Sequence, residues 1–141
     1  MDKIEYIQGD LVMTKTEPKN FIPNGVICRF ELYSDKNRAW IKDVNGIDYF
    51  SVERDWIAPV PLTPEILEKN AFEEKRRQKD SISEWYDFYH FDFDINVVCS
   101  FTKKEDNFFV CRDSIVLRKI QYVHQLQHLL FGLGLDSSMT I

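Results

Sequence analysis

The dipeptide Asn45-Gly46 stands between two short runs of alternating character, Ala39 to Val44 and Ile47 to Val52. Asn-Gly is the preferred pair for a two-residue type I′ hairpin turn, because both central residues must take a positive φ. Such a turn permits one register: Val44 opposite Ile47, Lys42 opposite Tyr49, Ile41 opposite Phe50, Trp40 opposite Ser51 and Ala39 opposite Val52. Side chains of a strand alternate between its two faces, so Ala39, Ile41, Phe50 and Val52 are expected in a core, with Trp40, Lys42 and Tyr49 outside.

The rest of the first sixty residues has the same grain. Leu11-Val12-Met13 follows Gly9-Asp10. Beyond the Pro18 to Asn24 loop, Val26, Cys28, Phe30 and Leu32 share one face of a strand while Arg29 and Glu31 take the other. Trp56-Ile57-Ala58 before Pro59 forms a last short strand. Five strands in some fifty residues, with no helix longer than one turn before Pro59, suit an SH3-like antiparallel β-barrel over residues 1–61.

A helix signal follows. Thr63 is placed as N-cap, Pro64 takes the first helical position where its missing N–H is harmless, and Glu65 meets the positive end of the dipole. The helix is expected to end near Asn70. From Glu73 to Asp80 the chain is almost wholly charged, which reads as a solvated linker or a frayed helical extension, so residues 62–80 form a capped helix plus linker.

Residues 81–141 read as an antiparallel sheet packed by a C-terminal helix, which makes the fold class α+β. From Trp85 to Phe101 apolar residues hold the odd positions, broken only by Asp87, and His90, Asp92 and Asp94 hold even ones, as in a strand buried on one face, with Phe91 and Phe93 inside. A turn centred near Glu105 places Cys99 opposite Cys111 and Phe101 opposite Phe109 on a return strand. Ile115 to Arg118 is a further strand. A helix from about Gln121 to Phe131 buries Tyr122, Val123, Leu126, Leu129, Leu130 and Leu133 and turns Gln121, His124, Gln125 and His128 away. Gly132 and Gly134 stop it.

Composition narrows the function classes. The 141 residues suffice for one domain or two small subdomains, and 44% hydrophobic with 29% charged residues marks a chain able to bury a core. A net charge of −5 gives no electrostatic reason for tight phosphate-backbone binding, so a nucleic-acid partner is not favoured. Cys28, Cys99 and Cys111 are odd in number and lack a C-x-x-C spacing, which fits a reducing compartment. The N-terminus has no secretory signal, and the apolar run from Leu129 to Leu135 is far below the ~20 residues of a membrane span. A cytoplasmic protein without a membrane partner is expected.

Two segments carry a resemblance. Pro59-Val60-Pro61-Leu62-Thr63-Pro64-Glu65-Ile66-Leu67-Glu68-Lys69-Asn70 and Tyr122-Val123-His124-Gln125-Leu126-Gln127, with the hairpin-rich region between them, resemble a group of small uncharacterised proteins encoded by gut bacteria and their phages. Members carry an "IPLT-E-L" junction and a C-terminal "YVHQLQ" helix. The resemblance implies organisation and a phage or host setting, and no activity. The present chain has Ala71 where the group has a glycine, and His128 where it has an asparagine.

Chemistry-bearing motifs are few. His124 and His128 lie one helical turn apart, a spacing that can offer two metal ligands, but Gln125 stands where the zincin motif needs a glutamate base. A further ligand could come from elsewhere, such as His90, Asp92 and Asp94 on one strand face, and a solvated strand face is the simpler reading. No activated nucleophile or phosphate-cradling loop is present. Outward Trp40 and Tyr49 beside Lys42 resemble a recognition surface for a peptide or stacked bases, the alternative being that the C-terminal half covers them, in which case the polar helix edge of Gln121, His124, Gln125 and His128 takes that place. The expected function is therefore non-enzymatic binding of another protein, without cofactor. A small metal-dependent enzyme built on His124 and His128, or a nucleic-acid-associated accessory protein, is the alternative.

Overall fold

A computed structural model describes residues 4–15, 25–46 and 48–141. The chain divides into two compact units, Met1–Val60 and Pro61–Ile141.

The N-terminal unit holds β1 (Leu11–Thr14), β2 (Ile27–Tyr33), β3 (Arg38–Asp43), β4 (Tyr49–Glu53), a one-turn 3₁₀ helix (Arg54–Trp56) and β5 (Ile57–Pro59). All pairings are antiparallel, in the order β4-β3-β2-β1-β5. β4 and β5 stand at the two ends of that order, with no ladder joining them among the described residues. The core gathers Tyr6, Val12, Cys28, Phe30, Ala39, Ile41, Val52 and Ile57. The Phe30 ring lies 4.6 Å from that of Tyr33 and 5.7 Å from that of Tyr6.

The expected β3–β4 register is present: Ala39 faces Val52, Trp40 faces Ser51, Ile41 faces Phe50 and Lys42 faces Tyr49. The turn that makes it differs from the expected one. Neither Asn45 nor Gly46 has a positive φ. The loop instead starts from Asp43, whose side chain accepts the Asn45 N–H (2.8 Å) and whose carbonyl accepts the Gly46 N–H (3.2 Å). The expected Val44–Ile47 pair lies outside the described residues. Type I′ chemistry occurs elsewhere, at Asp113 and Ser114, whose φ of 53° and 66° close the hairpin between Arg112 and Ile115.

Leu32 corrects the expected alternation. β2 pairs Phe30 with Ile41 but Leu32 with Trp40, so Glu31 is an extra residue, a β-bulge. One extra residue reverses every later side chain. Leu32 therefore joins Trp40 on the outer face, and Tyr33 turns in against Phe30.

The C-terminal unit holds α1 (Pro64–Lys69), β6 (Phe72–Lys79), β7 (Ser83–His90), β8 (Ile95–Thr102), β9 (Asp106–Arg112), β10 (Ile115–Ile120) and α2 (Val123–Gly132). The strands form one antiparallel meander, β10-β9-β8-β7-β6. The inner face buries Phe72, Phe88, Ile95, Val97, Cys99, Phe108, Val110 and Ile120, along with Val123, Leu126 and Leu130 of α2 and Ile66 and Leu67 of α1. Each such large apolar side chain contributes about 2 kcal/mol when removed from water. Thr63 caps α1 as expected, its Oγ1 accepting the Ile66 N–H at 3.2 Å.

Three expectations fail here. The run from Glu73 to Asp80 is neither linker nor helix: residues 72–79 are β6, an edge strand with six of its eight residues charged. Polarity is no bar at an edge, where charge protects the open backbone. The Arg77 guanidinium lies 4.9 Å from the Tyr86 ring centre, and Lys75 Nζ is 5.3 Å from that of Phe91. Second, the alternation from Trp85 to Phe101 is two strands. A tight turn at residues 91–94, closed by the Asp94 N–H on the His90 carbonyl (2.9 Å), resets the parity. Even residues Phe88 and His90 are buried in β7 and odd residues Ile95, Val97 and Cys99 in β8, while Phe91 is exposed at the turn. Third, the β8–β9 register runs Cys99 to Phe108, Asn96 to Cys111 and Phe101 to Asp106, because the turn centres between Lys103 and Lys104.

α2 lies rotated from the expected orientation, with His124 and Gln127 buried and Leu129 half-buried. The residues that follow fold back on the unit. Gln127 Nε2 donates to the Ser137 carbonyl (3.2 Å), Asn70 exchanges two hydrogen bonds with the Thr140 backbone (2.7 and 2.8 Å), and Met139 is buried. At the helix end Gly134, with φ of 74°, completes a Schellman motif in which Leu135 N–H reaches the Leu130 carbonyl (2.9 Å).

Candidate functional site

The outer face of β2, β3 and β4 carries the recognition surface expected from the hairpin register. Two cross-strand rows define it. Arg29, Lys42 and Tyr49 form one; Leu32, Trp40 and Ser51 form the other. Trp40 is 39% exposed, Tyr49 56% and Leu32 53%. The three sit over the core residues Phe30, Ala39 and Ile41 of the same strands, so their backbone is anchored while their side chains meet solvent. Lys42 Nζ stands 5.4 Å from the Tyr49 ring centre, within range of a cation–π attraction. Arg38 holds the end of the surface, donating from Nε to Ser51 Oγ (3.1 Å) and from Nη2 to the Ser51 carbonyl (3.0 Å). The arrangement offers flat aromatic and aliphatic area flanked by cations, and no acid–base pair.

Sequence reasoning missed Leu32. The bulge that exposes it has no marker in the run Arg29-Phe30-Glu31-Leu32-Tyr33, which alternates without interruption.

A separate concavity of about 700 Å³ in the same unit is lined by residues including Tyr6, Lys15, Lys36, Arg54, Ile57 and Pro59. Arg54 is already engaged there. Its Nη2 is 3.1 Å from Glu5 Oε1, its Nη1 donates to the Lys36 carbonyl, and its guanidinium lies 4.3 Å from the Tyr33 ring centre. Tyr33 Oη in turn accepts the Tyr6 N–H (3.0 Å), and burial pushes the phenol pKa up. The groove thus has size, but its Arg54 and Tyr33 are already engaged within the unit, whereas Leu32, Trp40 and Tyr49 of the outer face are exposed.

The histidine candidates fall into different places. His124 and His128 stay together, with ring centres 5.5 Å apart. His124 is only 4% exposed, and burial, helped by the charges of His128 and Arg118, pulls its pKa down to about 4. His124 therefore does not belong to the exposed polar edge expected of the helix. Gln125 serves the helix itself, since its Oε1 accepts the N–H groups of Gln121 (2.7 Å) and Tyr122 (3.1 Å) and so caps the first turn. Gln121 is exposed.

His90, Asp92 and Asp94 do not form a row. His90 is buried at the end of β7, stacked on Phe93 at 3.8 Å, and Asp92 and Asp94 lie in the turn, where Tyr89 Oη donates to Asp94 (2.8 Å). No group of three or more His, Cys, Asp or Glu among the described residues is placed to hold a metal ion.

His90 shares a pocket of about 160 Å³ with Asp136 and Ser138, residue types that elsewhere make a nucleophilic triad. The geometry opposes that chemistry. His90 Nδ1 accepts the Phe93 N–H (3.2 Å), so the neutral ring carries its proton on Nε2 and cannot take one from a serine there. Asp136 is engaged by the Ser138 backbone (2.9 Å).

All three thiols are unbonded. Burial raises Cys28 to about 11 and Cys99 to about 12, and also raises Cys111, so none is an activated nucleophile. No helix among the described residues is long and apolar enough to cross a membrane. Compared with protein-family models, curated proteins and solved structures, the chain matches none.

Proposed function

We propose that this chain is a non-enzymatic binding protein that captures a protein partner on the outer face of β2–β4. The observation that carries the reading is the pair of exposed rings, Trp40 and Tyr49, set beside Leu32 and Lys42 on strands whose opposite face is core. Rigid aromatic side chains give large contact area at little entropic cost, and such anchors contribute about 2 kcal/mol or more each when a partner desolvates them.

The unit that presents them is read as an SH3-like barrel. Support comes from the order β4-β3-β2-β1-β5 and from the one-turn 3₁₀ helix that leads from β4 into β5. The cations Arg29, Arg38 and Lys42 around the rings suit a partner with acidic residues near an apolar patch. A cytoplasmic setting and kinship with small proteins of gut bacteria and phages complete the proposal, on the strength of the reduced thiols and of the Pro61 to Asn70 and Tyr122 to Gln127 segments.

The test is capture from lysate, with and without nuclease treatment, by immobilised wild-type chain and by Trp40→Ala/Tyr49→Ala, with bound proteins identified by mass spectrometry. The double variant keeps its fold by circular dichroism and loses the partner. Unfolding of the variant, capture that persists, or capture that nuclease treatment abolishes defeats the proposal.

A further inference from the structure

The two edges of the C-terminal sheet are treated differently by the sequence. β6 is guarded by charge along nearly its whole length. β10, at the opposite end of the strand order, pairs only with β9 and begins with three aliphatic residues in succession, Ile115, Val116 and Leu117, exposed by 64%, 58% and 41%. Leu117 is the extra residue of a bulge in the β9–β10 ladder. Arg118 and Lys119 follow, both exposed and neither in an ion pair among the described residues. An edge strand leaves one row of backbone N–H and C=O groups unpaired, and natural sheets normally screen such a row. Here β10 has its charge confined to Arg118 and Lys119, and its first three residues have none.

We infer that β10 is a docking edge for an extended peptide segment of a partner, aliphatic in part and acidic where it meets Arg118 and Lys119. The peptide adds a sixth strand to the sheet. Its main chain supplies the hydrogen bonds, its apolar residues cover Ile115, Val116 and Leu117, and its carboxylates neutralise the two cations. Charge selects this occupant over a second copy of the chain. An antiparallel β10–β10 pair brings four cations to the seam and no acid from either strand. The site is distinct from the β2–β4 face, so each stands or falls alone.

The probe is a fluorescein-labelled synthetic peptide alternating valine and glutamate, with a valine–lysine peptide as its counterpart. Anisotropy titration shows saturable binding of the glutamate peptide only, and hydrogen exchange shows new protection of β10 amides. In R118E/K119E the preference reverses, with the glutamate peptide weakened about tenfold. Should that variant not fold, Leu117→Ser gives the second reading, a loss of affinity for the glutamate peptide with the wild-type charge preference kept. The inference is overturned by absence of saturable binding, by protection that falls outside β10, or by a preference that R118E/K119E leaves unchanged. A concentration-dependent dimer in sedimentation that R118E/K119E or Leu117→Ser abolishes overturns it in favour of a second copy.

Discussion

Cys99 and Cys111 lie on opposite faces of the same sheet. Cys99 is paired with Phe108, on the buried side, and Cys111 with Asn96, one residue out of step. No disulfide can join side chains directed away from each other across a sheet. Thiol alkylation of the native protein is expected to modify Cys111 first, since it alone keeps partial exposure, and to reach Cys28 and Cys99 only in denaturant. Peptide mapping by mass spectrometry reads the order directly.

Ala71 follows the cap residue of α1 with a φ of 68°, a left-handed conformation in which its Cβ is strained. Ala71→Gly removes that strain at the cost of a more flexible unfolded chain. The balance favours glycine by about 0.5–1 kcal/mol, seen as a higher urea midpoint with an unchanged slope.

His124 makes stability depend on acid. Its folded pKa, about 4, is below the 6.5 of the free side chain, so the unfolded chain binds more protons between those values. Stability is full above pH 6.5 and falls as pH drops toward 4, by about 3 kcal/mol from this residue alone. His90, lowered chiefly by burial and opposed by Asp92, acts in the same direction. Urea titrations across that window show the slope, and His124→Gln makes it shallower whatever its effect on stability at pH 7.

Position along the strand misleads at Leu32. Uninterrupted alternation groups it with Phe30, yet the structure buries Phe30 and exposes Leu32. Leu32→Ser is expected to change stability by less than about 0.5 kcal/mol, whereas Phe30→Ala costs about 3–4 kcal/mol. Equal losses at the two positions would reverse the assignment of the bulge.

Features governed by local chemistry were legible in the sequence. Thr63 and Pro64 start α1, Gly134 ends α2, and pairing counted outward from Asn45-Gly46 yields the β3–β4 register, although the turn itself is of another kind. Features governed by one added or skipped residue were not. The bulge at Glu31 and the turn at residues 91–94 each reverse which side chains are buried, and neither has a glycine or proline to announce it. β6 was hidden for another reason: an edge strand draws its order from its neighbour β7, so its own polarity says little. His124 was misplaced because tertiary packing leaves it only 4% exposed, and helical periodicity cannot register such a long-range effect. On the candidate surface, Trp40, Lys42 and Tyr49 followed from pairing arithmetic, and Leu32 required the three-dimensional fold.

Asn70 and Thr140 are seventy positions apart and joined by two hydrogen bonds, with Met139 buried next to them. During synthesis the hairpins from β6 to β10 can form in sequence as they leave the ribosome, each from neighbouring residues. The region around Asn70 cannot finish until the last stretch of the unit has emerged. The growing chain therefore waits with that end of its core uncovered, an interval in which a chaperone would have the most to hold.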